Sequence, residues 1–212
     1  MLASAAATSG SSSTIFWYLS RATGVVTLVL LTLTVALGVA NVKRLQTRRI
    51  PRFVVDAVHR NVALLSVVFL AIHVLSSVAD SYVSISFLEA VLPFGSSYRP
   101  FWVGLGAVSL DLMLAVVVTS LLRRRIGHRV WRATHWLAYA SWPIALAHSL
   151  GTGTDAGSGW MLALSALCVA TVGAAVVARI AGDSRSATSP PPVLNPRERR
   201  RRAAAALELA HR

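Results

Sequence analysis

The chain has little charge and almost no thiol chemistry. Cys168 is the one cysteine among 212 residues, which excludes a disulfide within the chain and argues against a thiolate-ligated metal site. Charged residues make up 14%, against ~25% in an ordinary soluble domain. Eight residues are acidic, and lysine occurs once against 20 arginines, a usage that points to a GC-rich bacterial genome. Residues 1–20 hold neither Lys nor Arg, so the first apolar run lacks the positive n-region of a signal peptide.

Apolar residues dominate, at 55% of the chain and a mean hydropathy of +0.61. They gather in five runs, 15–40, 53–78, 101–122, 130–150 and 160–180, each meeting the ~20 residues that a membrane-spanning helix needs. The expected fold is therefore all-α, an integral membrane helical bundle of about five transmembrane helices over residues 15–182. Residues 1–14, "MLASAAATSGSSST", read as a disordered polar tail. Residues 183–212 read as a Pro-rich linker, "SRSATSPPPVLNP", followed by a basic helix, "RERRRRAAAALELAHR". That helix has two readings, a solvated topological anchor or a contact with anionic lipid or an acidic partner.

The net charge of +13 does not point to nucleic acid, because its distribution alternates. Lys43, Arg44, Arg48, Arg49 and Arg52 lie between the first two runs, and Arg123, Arg124, Arg125, Arg129 and Arg132 between the third and fourth. Eight more arginines run from Arg179, at the end of the fifth run, to Arg212, whereas the opposite loops hold only Arg99. This positive-inside pattern puts the N-terminus outside and the C-terminus in the cytoplasm of a multi-pass protein of the inner (plasma) membrane.

Hydrocarbon penalises polar side chains, so intramembrane histidines call for a role. His59 and His73 lie on the second run, and His135 and His148 on the fourth. Those two runs are parallel. His59 and His135 share one depth near the cytoplasmic side, and His73 and His148 share another near the outer side. The 14 residues between His59 and His73 span ~21 Å of helix and return to within ~40° of the same face. The 13 residues between His135 and His148 land ~140° apart on an ideal helix, and Pro143 is the expected compensation, through a kink. A planar haem between two helices needs one imidazole from each side and an apolar slot, which two depth-matched pairs provide.

The remaining polar residues carry weaker expectations. Arg21 and Arg99 stand at the outer helix ends, as haem-propionate or acceptor-binding groups or as aromatic-belt anchors with Trp17, Tyr18, Tyr98 and Trp102. Arg60 and Arg132 are their inner counterparts. Trp131, Trp136 and Trp142 read as packing and interface residues. Asp111 lies near mid-membrane, where it serves a proton path, holds a histidine or haem edge, or pairs with a neighbouring helix. Asp56, one turn before His59, could orient that ring or face the headgroups.

The pattern H-x13-H on one helix and H-x12-H on the next but one, together with "WYLSRATGVVTLVLLTLTVALG" and the stretch from "PFGSSYRPFW" to "LAHSLGTGTD", resembles the ferric reductase-like transmembrane domain. That superfamily includes ferric reductases, the membrane core of NADPH oxidases and the haem subunit of a methionine sulfoxide reductase system. The resemblance covers about residues 15 to 182. It implies two b-type haems, ligated by His59 with His135 and by His73 with His148, and electron transfer across the membrane by an oxidoreductase subunit. Many members continue into a flavin and nicotinamide module, but this chain contains no strand–GxGxxG–helix unit. Its electrons are then expected from a separate flavoprotein, from quinol or from a diffusible flavin, with the extracytoplasmic acceptor unspecified. Two other readings use the same residues. One is a cation or small-molecule transporter with Asp111 and the histidines as its polar pathway. The other is a membrane scaffold without cofactor. The paired depths favour the haem conduit.

Overall fold

A chain crossing hydrocarbon must close its peptide groups on itself, and a single apolar run does so only as a helix. The computed structural model describes residues 2–42, 52–81 and 85–188, and every regular element among them is a helix. In order these are α1 (Leu2–Val42), α2 (Arg52–Ala79), α3 (Phe87–Val91), α4 (Pro100–Leu121), α5 (Arg123–His135), α6 (Leu137–Thr152) and α7 (Gly159–Thr188). Residues 1–179 form one compact unit; a second begins at Ile180 and is described only through Thr188. Lys43, Arg44, Arg48, Arg49 and the terminal segment from residue 189 onward lie outside the described residues. Residues 2–13, read above as a disordered tail, continue α1; alanine, frequent there, is the best helix former.

Four helical stretches are long and apolar enough to cross a membrane: Thr14–Ala40, Phe53–Ala79, Pro100–Leu121 and Gly159–Ala181. They coincide with four of the five expected runs. The fourth run, 130–150, is two helices rather than one. Trp136 N–H bonds back to the carbonyls of Ala133 and Thr134, and Tyr139 N–H closes on the Trp136 carbonyl at 3.0 Å. Closures of three residues wind tighter than α-helix, ~120° per residue. The added twist, ~20° per residue over one turn, turns the later side chains toward the seam of the earlier ones and offsets part of the ~140° misfit of a 13-residue step. The interruption thus sits at Trp136, and α6 continues through Pro143. The basic segment before it is itself helical. It bends at Gly127, whose φ of 80° and ψ of 159° are open to glycine and strained for other residues.

Most hydroxyls within the runs are satisfied locally, the buried Ser165 Oγ being the exception among the described residues. Thr23, Thr27 and Thr32 each donate to the carbonyl four residues back at 2.7 Å, and Ser66 and Ser76 do the same on α2 at 2.9 and 2.7 Å. This removes most of the penalty for Ser and Thr in an apolar medium. On α1, Leu28, Leu31, Val35 and Val39 recur at helical spacing and form the core with Met113, Trp142, Met161 and Cys168. Leu64, Leu75, Leu121 and Val177 face outward, each more than half exposed, where lipid would cover them. Helix α1 packs along α2, α4 packs along α6, and α1 meets α6. That last contact holds a buried hydrogen bond, Trp142 Nε1 to Thr32 Oγ1 at 2.9 Å.

Candidate functional site

The two polar stations arise where α2 faces the fourth run. The rings of His59 and His135 lie with centres 6.5 Å apart, and those of His73 and His148 6.4 Å apart. Their planes cross at 68° and 76°. Two helical runs can match residues at both levels only if they run the same way, so α2 is parallel to the run from His135, at the end of α5, through His148 on α6. The pairs expected from depth are the pairs the structure brings together.

Three of the four rings are held on the side away from their partner by a main-chain carbonyl. His73 Nδ1 donates to Ser20 O at 2.7 Å, His148 Nδ1 to Trp102 O at 2.8 Å and His59 Nδ1 to Thr34 O at 3.1 Å. A carbonyl can only accept, so Nδ1 carries the proton and Nε2 keeps its lone pair free. His135 is different. Its Nδ1 is buried without a hydrogen-bond partner, and its ring stacks on Trp131 with centres 5.2 Å apart. Trp131, read from sequence as a packing residue, therefore packs on a site histidine.

An imidazole nitrogen binds a first-row metal at about 2 Å, so two imidazoles on opposite sides of one atom put their ring centres roughly 6 Å apart. Both stations have that separation. Among the described residues no group of three or more His, Cys, Asp or Glu side chains is placed to hold a metal ion. Two imidazoles and no third ligand suit a planar group that brings the remaining ligands itself, as haem does.

The other expected residues fall outside the stations. Arg21 pairs with Asp155 and Thr154 and lies over the Trp17 ring, 4.3 Å from its centre. Arg99 donates to Gly151 O at 2.5 Å and stands 5.8 Å from the Tyr98 ring centre. Both arginines thus reach the 151–155 segment and both keep an aromatic neighbour. Arg21 adjoins Ser20, and Arg99 lies one turn before Trp102, the two residues whose carbonyls hold His73 and His148. Arg60 and Arg132 are exposed, and Asp111 is half-buried on α4. Asp56 is exposed; the group that orients His59 is the Thr34 carbonyl. Sequence reasoning missed the accepting carbonyls on α1 and α4 because a main-chain acceptor has no residue signature. It also missed Asp155, which belongs to a loop of ordinary polar composition.

A family model described as ferric reductase-like transmembrane component matches residues 23–146, more than half of the chain. The match includes His59, His73 and His135 and ends just short of His148. No curated protein and no solved structure matches the chain.

Proposed function

The chain belongs to the ferric reductase-like transmembrane component family, and from that premise we propose that it carries electrons across a membrane through two b-type haems. His59 with His135 would hold one and His73 with His148 the other. The observation that carries this reading is the pair of facing imidazoles, 6.5 and 6.4 Å between centres at two levels. The levels lie 14 residues apart on α2, ~21 Å along its axis.

Bound haem supplies the one-electron chemistry. The chain's own residues hold and insulate it. The Ser20, Thr34 and Trp102 carbonyls set the tautomers of three imidazoles, and such partners raise the basicity of the ligating nitrogen. Apolar helices keep water from the stations. Arg21 and Arg99, at the end of the bundle that holds His73 and His148, would supply cations to the acidic edge of a bound group or acceptor, Arg21 from its pair with Asp155 and Arg99 from its bond to the Gly151 carbonyl.

Electrons would enter at the His59–His135 level from a separate flavoprotein, quinol or diffusible flavin. The exposed arginines of α5, Arg123, Arg124, Arg125, Arg129 and Arg132, favour an anionic donor by steering. The acceptor stands on the opposite, extracytoplasmic side, and the membrane is the inner (plasma) membrane. Purification in detergent followed by reduced-minus-oxidised absorption tests the reading. A b-type spectrum with two haems per chain is expected. Colourless protein from haem-replete cells would leave a transporter or scaffold in its place.

A further inference from the structure

The three carbonyls that hold histidines share a sequence feature. Ser20 is followed four residues later by Gly24, Thr34 by Gly38 and Trp102 by Gly106. The regularity has a steric reason. A helical side chain leans toward the N-terminus and covers the turn before its own Cα. A side chain at position i+4 therefore lies over the carbonyl of residue i, and only glycine leaves it bare to a bulky donor from another helix.

The available space agrees. A Cβ at Gly106 would stand 2.5 Å from His148 Cε1, at Gly24 2.9 Å from His73 Cε1 and at Gly38 3.4 Å from His59 Cε1. Gly104 and Gly151 are also closely approached, by Phe94 and Trp102, whereas at Gly173 on α7 a Cβ would meet nothing within 4 Å; what sets Gly24, Gly38 and Gly106 apart is that the approaching group is a station histidine. Gly24 and Gly38 are also 14 residues apart, the separation of His73 and His59, so two antiparallel helices match seat to ring at both levels.

The fourth ring marks the exception. His135 has no such seat: its Nδ1 is without a partner and its ring rests on Trp131, whose Nε1 donates to Ser120 Oγ at 3.3 Å.

We propose that Gly24, Gly38 and Gly106 are positioning residues for the ligand histidines: each uncovers the carbonyl four residues before it, and that carbonyl fixes one imidazole with Nε2 free. This deepens the haem-ligand reading and rests on it. The test uses full-length Gly24→Ala, Gly38→Ala, Gly106→Ala and, as control, Gly173→Ala. Haemin is titrated into each apoprotein in detergent, and ferric low-spin resonance spectra are recorded. Loss of such a partner typically lowers affinity about 10- to 100-fold. That loss is expected at the His73–His148 level for Gly106→Ala and Gly24→Ala. A smaller change is expected at the other level for Gly38→Ala, and none for Gly173→Ala.

A double variant separates positioning from simple damage to the fold. With His73→Ala the methyl of Gly24→Ala has free space, so the pair should bind haem at the His59–His135 level as His73→Ala alone does. Wild-type affinity and spectra in Gly24→Ala and Gly106→Ala, while His73→Ala and His148→Ala lose haem, would overturn the positioning role and leave the ligands standing. A double variant that fails to fold where His73→Ala folds overturns it too. Full haem in His73→Ala and His148→Ala removes the ligand reading itself, and the positioning role with it.

Discussion

His73 on α2 and His148 on α6 face each other with ring centres 6.4 Å apart, and each gives its Nδ1 proton to a carbonyl of a different neighbouring helix, Ser20 on α1 and Trp102 on α4. Four helices thus converge on one pair of imidazoles. Neither ring is free to turn without breaking a hydrogen bond in a medium that offers no replacement.

Removing ligands should act by level. His59→Ala or His135→Ala should abolish one haem, and His73→Ala or His148→Ala the other, so that each single change roughly halves the haem content if the levels fold independently. Haem content and resonance spectra of the four variants check this. Loss confined to one pair, with both haems kept in the other pair's variants, breaks the two-level scheme.

Orientation can be read by reporters. A fusion at the C-terminus should report a cytoplasmic location, and one within 151–159 an external location, as the arginine distribution requires. The reverse result would exchange the entry and exit levels while leaving the ligand pairs unchanged.

The proposed outward flow rests on the same asymmetry. In sealed vesicles of known orientation, an impermeant reductant or flavin reductase on the cytoplasmic face should reduce the haems and pass electrons outward. Reduction from the external face alone would contradict an outward conduit.

The Trp142–Thr32 hydrogen bond ties α6 to α1 inside the core, with Thr32 3% and Trp142 9% exposed. Trp142→Phe or Thr32→Val should each cost about 1 kcal/mol. The double variant should cost less than the two singles added, because they share one interaction. Denaturant unfolding in detergent measures the cycle; strict additivity would mean the bond contributes nothing.

Outside the membrane, α3 starts with a capping box in which Ser86 N–H donates to Glu89 at 2.7 Å and Ser86 Oγ accepts from Glu89 N–H. The hydrogen bonds from the Ser86 backbone and hydroxyl hold the Glu89 carboxyl below its ordinary range. A carboxylate lowered on folding stabilises fully above its unfolded value and loses that effect as pH falls through the lowered one. The hydrogen-exchange protection factors in Phe87–Val91, corrected for the intrinsic rate at each pH, should therefore fall at acidic pH, and Glu89→Gln should remove the step. Protection independent of pH would show that the box does not hold α3.

The membrane bundle was legible in the sequence, because apolar runs of that length can close their peptide groups in hydrocarbon only as helices. The sequence also determined which histidines pair, because 14- and 13-residue steps on two parallel helices set their depths. It did not show that the run 130–150 breaks at Trp136, since the break depends on which hydrogen bonds close there and not on the proline that drew attention. Nor did it show how Arg21 and Arg99 are engaged, because their partners, Asp155, Thr154 and Gly151, come from a loop far along the chain. Most of all, it hid what orients the imidazoles. Those groups are main-chain carbonyls, present at every residue and exposed to another helix only where a glycine follows four positions on and the two helices pack close. The glycines were in the sequence; their meaning depended on which ring the tertiary structure set against them.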